Sequence, residues 1–344
     1  MKCFAGLPLM LAAGAAIGGS PPASAASSCD RNCLRHIADG FVASIVAHAP
    51  AALDMSPVYI ATENSVPAAP DMMTIWQTAT AAKAKFYVLD AQSEQAFIAV
   101  TVAEGAHDAL LWGRLKVNDG KLAEIEIYVE RSRSDAGFQL DADGLASLPI
   151  AWTEPVAASR LPSRAELLQA GRAIFDTSVT SPPAAPGCVL MENAKIVEEN
   201  PDVLKSVGNG LAGLRNADGL VSIPCGIPPG RPTDRLARTD IADTQQGIVV
   251  SIATVQGAAE PYVVTTPTQS AFVPDAMLRP YVTMLSKQLA SGQYTRPMLR
   301  PTPASITVAE LHRVFDGKVQ GMEMLQKLGP RGGQSPWTTD AAQP

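Results

Sequence analysis

Polar and apolar residues alternate along this chain around two Asp-Gly pairs. The first alternating stretch covers residues 114–129, and the second covers residues 310–325. Alternation with a period of two is typical of β-strands, and an Asp-Gly pair between two strands favours a tight turn. The pattern therefore predicts two β-hairpins of the same length. Because Gly120 and Gly317 are 197 positions apart, we interpret the hairpins as the two copies of a duplication.

The geometry of the first turn decides which residues share a face of the hairpin. A bulged loop with a positive φ angle at Gly120 would pair Val117 with Lys121, whereas a two-residue turn would mix polar and apolar residues on one face. We therefore predict the bulged loop. One face then carries Leu111, Gly113, Leu115, Val117, Ala123, Ile125, Ile127 and Val129. The other carries Trp112, Arg114, Lys116, Glu124, Glu126 and Tyr128.

A predicted helix precedes the strands of each copy. After Asp30, which can cap the helix, apolar residues at 34, 37, 38, 41 and 45 follow the spacing of one helical face. His48 continues this apolar stripe, so we expect its ring to face inward. Ser163 and Glu166 form a capping box at the start of the second helix. A helix followed by antiparallel strands, twice over, predicts a duplicated α+β fold.

The second copy is longer than the first. Glu192 lies 129 positions after Glu63, and both precede Asn, while the turn glycines are 197 positions apart. The difference predicts loop insertions in the second copy. The predicted organisation is a signal peptide over residues 1–25, a first domain over 26–130, a linker over 131–161, a second domain over 162–329 and a loosely structured tail over 330–344.

The N-terminal segment is typical of a secretory signal peptide. Lys2 supplies a positive charge, residues 4–19 are apolar, and Ala23-Ser24-Ala25 is a small-residue cleavage site. We expect a secreted or periplasmic protein, and an uncleaved membrane anchor is the alternative. The formal net charge of −6 and the absence of a basic cluster argue against a nucleic-acid partner. No later segment of the sequence is long and apolar enough for a membrane helix, so no membrane partner is expected.

Four cysteines follow the predicted signal peptide, and they are Cys29, Cys33, Cys188 and Cys225. An even number in an oxidising compartment predicts two disulfides. Proximity in the sequence favours Cys29–Cys33 and Cys188–Cys225, and the other two connectivities stay open. Metal binding is the alternative, but His36 is the one histidine near the first pair, so we predict no metal site.

These elements, in this order, resemble the SnoaL-like (nuclear-transport-factor-two-like) superfamily. The stretches that carry the resemblance are "CDRNCLRHIADGFVASIVAH", "ATEN", "GRLKVNDGKLAEIE", "SRAELLQAGRAIFD", "CVLMEN" and "AELHRVFDGKVQGME". More narrowly, the chain resembles a secreted family of unknown function from fungi and bacteria with two such domains in tandem. The resemblance implies two cone-shaped domains, each with helices packed in a curved antiparallel sheet around a deep apolar pocket. The superfamily includes isomerases, dehydratases, cyclases, epoxide hydrolases, lyases and non-enzymatic binding proteins.

Glu310 and His312 are the candidate catalytic residues. The offset between the hairpins places them on the core-facing side of the second sheet, with Val308 and Val314, where the first copy has Gly113 and Leu115. We expect Gln320, Met322 and Met324 across from them. Buried polar groups need partners or a ligand, and a carboxylate beside an imidazole suits general acid–base chemistry. A satisfied pair of core residues is the alternative. The family that the chain resembles usually has an aromatic residue at the position of His312.

The candidate binding residues are His48, Tyr59, Glu63, Trp76, Tyr87, Glu192 and Asp240. Glu63 and Glu192 occupy equivalent places, where each could line a pocket mouth or cap backbone amides. The aromatic residues and His48 could line the first pocket or belong to its core. Asp240, with Arg238 and Asp243, resembles an acid–arginine cluster of epoxide-opening sites, and a solvated ion pair is the alternative.

Three functions fit these patterns. The first is a cofactor-independent lyase or isomerase that acts by acid–base chemistry on a hydrophobic, aromatic or polyketide-like small molecule. The alternative is an exported binding protein for an apolar ligand without turnover. A pseudo-symmetric interaction protein is a third. No cofactor is predicted, because the G-x-G-x-x-G match at residues 208–213 lacks the strand and βαβ unit that dinucleotide binding needs. A homodimer through sheet faces is a further expectation.

Overall fold

The computed structural model describes residues 29–131, 145, 150–176, 178–190, 196–197, 214–215, 220–222, 237–261, 270–275, 283, 286–287, 289–292, 302–333 and 337. The predicted signal peptide, Glu192 and Cys225 lie outside these residues. Within the described part of the chain, no helix combines the length and the apolar character needed to cross a membrane.

Six strands form the first sheet. They are β1 (Met55–Glu63), β2 (Val66–Pro67), β3 (Ala81–Asp90), β4 (Gln95–Glu104), β5 (His107–Asn118) and β6 (Lys121–Arg131). Their order is β2-β1-β6-β5-β4-β3, and neighbours are antiparallel except β1 and β6, which are parallel. Helix α1 (Arg31–Val46) lies on one face of this sheet, and the short helix α2 (Ile75–Thr78) follows β2. Asp30 caps α1, as predicted, by accepting a hydrogen bond from the Cys33 N–H at 2.8 Å.

The rest of the chain forms a second large sheet and a small one. The elements are α3 (Ile150–Thr153), α4 (Arg164–Arg172), β7 (Ala184–Leu190), β8 (Ile196–Val197), β9 (Leu214–Arg215), β10 (Leu220–Ser222), β11 (Arg238–Asp243), β12 (Ile248–Pro261), β13 (Ser270–Pro274), β14 (Thr302–Phe315) and β15 (Lys318–Pro330). The second sheet has the order β11-β12-β14-β15-β7, with β13 also paired to β12 and β7 parallel to β15. Strands β8, β10 and β9 form the small sheet. The predicted capping box of Ser163 and Glu166 starts α4.

The strand registers of the two large sheets repeat each other. In the parallel pairs, Met55 lies opposite Leu122 in the first sheet, and Ala184 lies opposite Val319 in the second. The partners on the parallel strands are 129 positions apart, and the partners on the hairpin strands are 197 positions apart. These are the offsets that the sequence pattern indicated, so the register supports the duplication. The predicted domain boundaries stay a prediction.

The expectation of an α+β fold with two tandem cone-shaped domains was wrong. The protein is mostly β-sheet, and both large sheets are mixed because each contains one parallel pair. The helices α1 and α4 lie on the faces of these sheets and do not make up a comparable share of the fold. Hydrophobic periodicity located α1, α4 and the two hairpins, but it carries no information about which strands pair in parallel.

The predicted turn was also wrong, although its consequence for the faces was right. Both Asp119 and Gly120 have positive φ angles, and Asn118 pairs with Lys121, which makes a two-residue turn. The register between β5 and β6 shifts one pair beyond the turn, where Ala123 is the extra residue of a β-bulge. This bulge restores the alternation that a two-residue turn alone would have broken. The second hairpin has the same turn, with positive φ angles at Asp316 and Gly317.

The two sheets pack against each other through what we call their outer faces, and α1 and α4 lie on their inner faces. The shared core between the sheets consists of Phe86, Val88, Phe97, Ala99, Leu110, Trp112, Tyr128, Leu145, Trp152, Ile241, Ile248, Val250, Ile252, Ala309, Leu311 and Leu325. The predicted outer face of the first hairpin is confirmed, since Arg114 lies opposite Glu126 and Trp112 opposite Tyr128. A homodimer through sheet faces stays a prediction, and it would need faces other than these.

Two charged contacts cross this interface reciprocally. Arg31, at the start of α1, binds Asp243 at 2.7 Å, and Arg164, at the start of α4, binds Asp90 at 2.7 Å. Each aspartate also accepts a hydrogen bond at 3.0 Å from a backbone N–H of the other sheet. Equivalent residues of the two copies thus meet across the interface, as in a self-complementary dimer contact.

Candidate functional site

Glu310 and His312 lie side by side on the inner face of the second sheet. They are separated by one residue on β14, so their side chains point to the same face. His312 is paired across the sheet with Val249 and Met322, and Glu310 with Ser251 and Met324. The predicted neighbours are therefore confirmed apart from Gln320, which is the extra residue of the bulge.

The pair is completely removed from solvent. The side chains of Glu310 and His312 are each 1% exposed, and the closest distance between His312 Nε2 and a Glu310 carboxylate oxygen is 3.7 Å. This distance is longer than a hydrogen bond. Within the described part of the chain, neither ring nitrogen of His312 has a hydrogen-bond partner. Burying an imidazole in this way is costly, so the site keeps a polar group where packing alone would favour an apolar one.

Two hydroxyl groups extend the polar site towards the edge of the sheet. Ser251 Oγ donates a hydrogen bond to the Gly171 carbonyl of α4 at 3.0 Å, and it lies 2.7 Å from Thr239 Oγ1. Ser251 lies directly opposite Glu310. Our sequence reasoning missed both hydroxyls. The alternation of β12 carried the signal, because Ser251 stands at an inward position between Val249 and Ala253.

Glu310, His312, Ser251 and Thr239 form what we call the polar strip, and apolar clusters lie on both sides of it. One contains Leu167, Ala170, Ala242, Val249, Val314 and Val319. The other contains Ile174, Phe175, Ala253 and Val308. Helix α4 is drawn close to the strip because Gly171 has no side chain, and a Cβ there would lie 2.5 Å from a Thr239 methyl group. The site is thus a short polar strip in an apolar surface.

The first sheet has no comparable polar pair. Its equivalent positions are Gly113 and Leu115, and Leu115 is fully buried in the core beneath α1. A Cβ at Gly113 would lie 2.0 Å from the Glu126 carbonyl oxygen, so this position cannot hold a side chain such as glutamate. Packing against α1 fills the rest of the face with Leu34, Ala38, Phe41, Val42 and Ile45.

Three of the predicted binding residues have structural roles in the first copy. The Glu63 carboxylate accepts hydrogen bonds from the backbone N–H groups of Thr74 and Ile75, at 2.8 and 3.1 Å, and therefore caps α2. Trp76 is buried and packs edge-on against Phe41 at 5.2 Å between ring centres. The Tyr87 hydroxyl lies 3.1 Å from Asp39, and burial together with this carboxylate raises the pKa of the hydroxyl.

The remaining candidates do not converge on a site. The His48 side chain does not point into the core as expected, because the residue has a positive φ angle beyond the end of α1 and is exposed. Its Nδ1 contacts the Trp76 carbonyl. Tyr59 is 38% exposed on β1. Asp240 lies 3.5 Å from Arg238 and does not join Asp243, which binds Arg31 instead. Glu192 lies outside the described residues.

The cysteine prediction is confirmed where the structure describes it. Cys29 and Cys33 form a disulfide with a Cα–Cα distance of 5.3 Å at the start of α1. The second predicted disulfide stays a prediction, because neither the Cys188 side chain nor Cys225 is within the described part.

The outer faces contain a charge cluster that the sequence did not reveal as a unit. Glu126 is fully buried and accepts hydrogen bonds from the Tyr128 hydroxyl at 2.9 Å and from Arg114 at 3.3 Å. Arg238 reaches the same carboxylate from the second sheet. Arg114 also donates to Gln95 at 2.7 Å. The sequence placed Arg114 opposite Glu126, but no local pattern could bring Arg238 to them.

No protein-family model matches the chain, and no curated protein matches it in sequence.

Proposed function

We propose that the protein is a cofactor-independent lyase or isomerase that moves protons on a hydrophobic small molecule at the inner face of the second sheet. The observation that carries the proposal is the buried pair of His312 and Glu310. His312 would give and take the proton, because an imidazole ring can both donate and accept one. Glu310 would stabilise the imidazolium that forms during the transfer.

The spacing of the pair is compatible with this role. Catalytic hydrogen bonds are often long in the absence of substrate and shorten in the complex. A 3.7 Å separation between His312 and Glu310 needs a side-chain movement of less than 1 Å to reach hydrogen-bond distance. The apolar clusters on either side supply a dry surface for a hydrophobic substrate, in which electrostatic interactions are stronger than in water.

An exported binding protein for an apolar ligand is the second candidate. The observation that favours it is the complete burial of His312. A polar group that only orients a bound ligand does not need to exchange protons with water, so burial is compatible with binding alone. We also propose that the protein acts outside the cytoplasm. The Cys29–Cys33 disulfide supports this, since such bonds persist in oxidising compartments.

The test is a comparison of three variants for turnover and thermal stability. Native mass spectrometry of the purified protein would first identify a retained ligand, which then serves as the starting compound for conversion assays. We expect His312→Phe to fold and to lose about 10²–10⁴ in rate, because a positioned proton carrier is removed. Glu310→Gln should lose less. Met322→Leu, a substitution of similar volume beside His312, is the control and should keep most of its activity.

The outcomes separate the candidates. Turnover that disappears in His312→Phe while the Tm stays near that of the wild type supports the enzyme. A wild-type protein that retains the ligand but never converts it supports the binding protein. Full activity in His312→Phe rejects the catalytic role.

A further inference from the structure

Trp337 is buried against the first sheet although it follows the last strand of the second. It is 6% exposed, and its indole N–H donates a hydrogen bond to Thr62 Oγ1 at 3.0 Å. Thr62 lies on β1 beside Glu126 of β6, so this contact is on the outer face of the first sheet. The loosely structured tail over residues 330–344 stays a prediction, and Trp337 is one of its described residues.

A guanidinium group supports the indole ring of Trp337. The centre of the Arg114 guanidinium lies 4.9 Å from the ring centroid, a favourable cation–π distance. Arg114 is 5% exposed, and its other contacts are with Gln95, Glu124 and Glu126. Thr62 accepts the indole N–H, and the Arg114 guanidinium lies over the indole ring. These two residues therefore satisfy both polar interactions that an indole can make.

This position adjoins the charge cluster that joins the two sheets. Glu126 binds Arg114 of its own sheet and Arg238 of the second sheet. Ion pairs of this kind are strengthened when water is excluded. By covering Arg114, the indole of Trp337 keeps water from one side of the cluster.

A second tryptophan makes an equivalent crossing in the opposite direction. Trp152, which follows the first sheet, is 3% exposed and packs against Gly321 of β15. A Cβ at Gly321 would lie 2.8 Å from the Trp152 ring, so the glycine makes room for it. Gly321 is the counterpart of Glu124, because the two are 197 positions apart, and Glu124 binds the Arg114 guanidinium that lies over Trp337. Each copy is thus followed by a tryptophan that packs on the other copy.

We propose that the first sheet carries a binding position for an indole, formed by Thr62 and Arg114, and that Trp337 of the same chain occupies it as a C-terminal anchor. The anchor closes the interface between the two sheets and protects the Glu126–Arg238 ion pair. This inference does not depend on the proposed function.

Chemical rescue with free indole tests the proposal in the full chain. Trp337→Ala should lower the Tm by on the order of 10 °C, because a large buried aromatic is lost. Indole should bind this variant with a Kd on the order of 1 mM and recover part of the Tm loss. Naphthalene, which has no N–H, should recover less. Trp337→Phe should fall between wild type and Trp337→Ala, so the test holds even if Trp337→Ala folds poorly.

Three controls decide the result. Thr62→Val combined with Trp337→Ala should weaken the indole effect, since the N–H acceptor is gone. Val58→Ala, at a residue that is 79% exposed, should keep the wild-type Tm and should not respond to indole. Sedimentation should give the same mass for wild type and Trp337→Ala. Three results would overturn an anchor within the same chain. They are an unchanged Tm in Trp337→Ala, an equal effect of indole on the wild-type Tm, and a wild-type dimer that Trp337→Ala converts to monomers.

Discussion

Glu126 shows how a single buried charge can be kept ionised in this protein. Burial raises the pKa of its carboxyl, but the guanidinium groups of Arg238 and Arg114 outweigh burial and hold the pKa below its usual range. The Tyr128 hydroxyl adds a hydrogen bond to the carboxylate. The residue therefore joins the two sheets as a carboxylate and not as a neutral acid.

We expect Glu126→Gln to destabilise the protein by about 3–5 kcal/mol near neutral pH, because it removes the buried carboxylate that Arg114 and Arg238 share. Their other acidic partners, Glu124 and Asp240, are 13% and 33% exposed and compensate less. Since the folded-state pKa is below the unfolded value, the contribution of Glu126 is fully present above the unfolded pKa and is lost as pH falls through the folded pKa. The variant should therefore lose less stability on acidification than the wild type. Urea unfolding at several pH values measures this.

The control for Glu126 is Asp108→Asn, which removes a pair with Lys83 whose side chains are 24% and 52% exposed. A surface pair of this kind contributes about 0–1 kcal/mol. The result would contradict a stabilising role for the buried cluster if both variants lost the same free energy of unfolding. It would also do so if Glu126→Gln left the pH dependence of that free energy unchanged.

The two hairpins are the elements in which sequence and structure agree most closely. In each, an Asp-Gly pair adopts positive φ angles, which are 50° and 76° in the first turn and 52° and 66° in the second. Both hairpins carry a bulge at the same step after the turn. The repeated bulge keeps apolar residues on the inner face of both hairpins, so the two hairpins share this irregularity as well as the turn.

We predict that Gly120→Ala and Gly317→Ala each cost about 1–2 kcal/mol, because an L side chain is strained at a positive φ angle. Space is not the cause, since a Cβ at either position has no atom within 4 Å. Gly40→Ala in α1 is the matched control, because it also has free space but a helical backbone, and it should stabilise by about 0.5–1 kcal/mol. Denaturant unfolding of the three variants measures the difference, and a neutral Gly120→Ala would contradict the turn geometry.

At the scale of the whole molecule, two reciprocal arginine–aspartate contacts join the copies. Arg31–Asp243 and Arg164–Asp90 have the same length and nearly the same burial, with arginine side chains 20% and 26% exposed. Both aspartates are almost completely buried. The interface therefore consists of two equivalent halves around a shared apolar core.

We expect Arg31→Ala and Arg164→Ala to lose similar stability, about 1.5–3 kcal/mol each, since each removes a hydrogen bond between charged groups. Their effects should not add, because the two pairs adjoin. Asp243 accepts the N–H of Leu89, next to Asp90, and Asp90 accepts the N–H of Ala242, next to Asp243. Arg31→Ala combined with Asp243→Asn should cost less than the sum of the two single variants. Lys83→Ala, in an exposed pair, should change little. A large cost from one arginine and none from the other would reject the equivalence of the two halves.

The sequence by itself determined the local structure of this protein. Period-two alternation and the Asp-Gly pairs defined the hairpins, and Asp30 and Ser163 marked the helix starts. It also placed Glu310 and His312 on one inward face. These features depend on residues a few positions apart, which interact through backbone geometry that the chain carries everywhere.

The tertiary structure alone decided how those elements combine. The parallel pairing of β1 with β6, the packing of the outer faces and the approach of Arg238 to Glu126 join residues far apart in the chain, so no local pattern predicts them. Glu63 caps α2 because the fold brings the end of β1 to the start of that helix. Whether a polar residue becomes a site, a cap or part of a core depends on the partners that the fold brings to it, and those partners come from other elements.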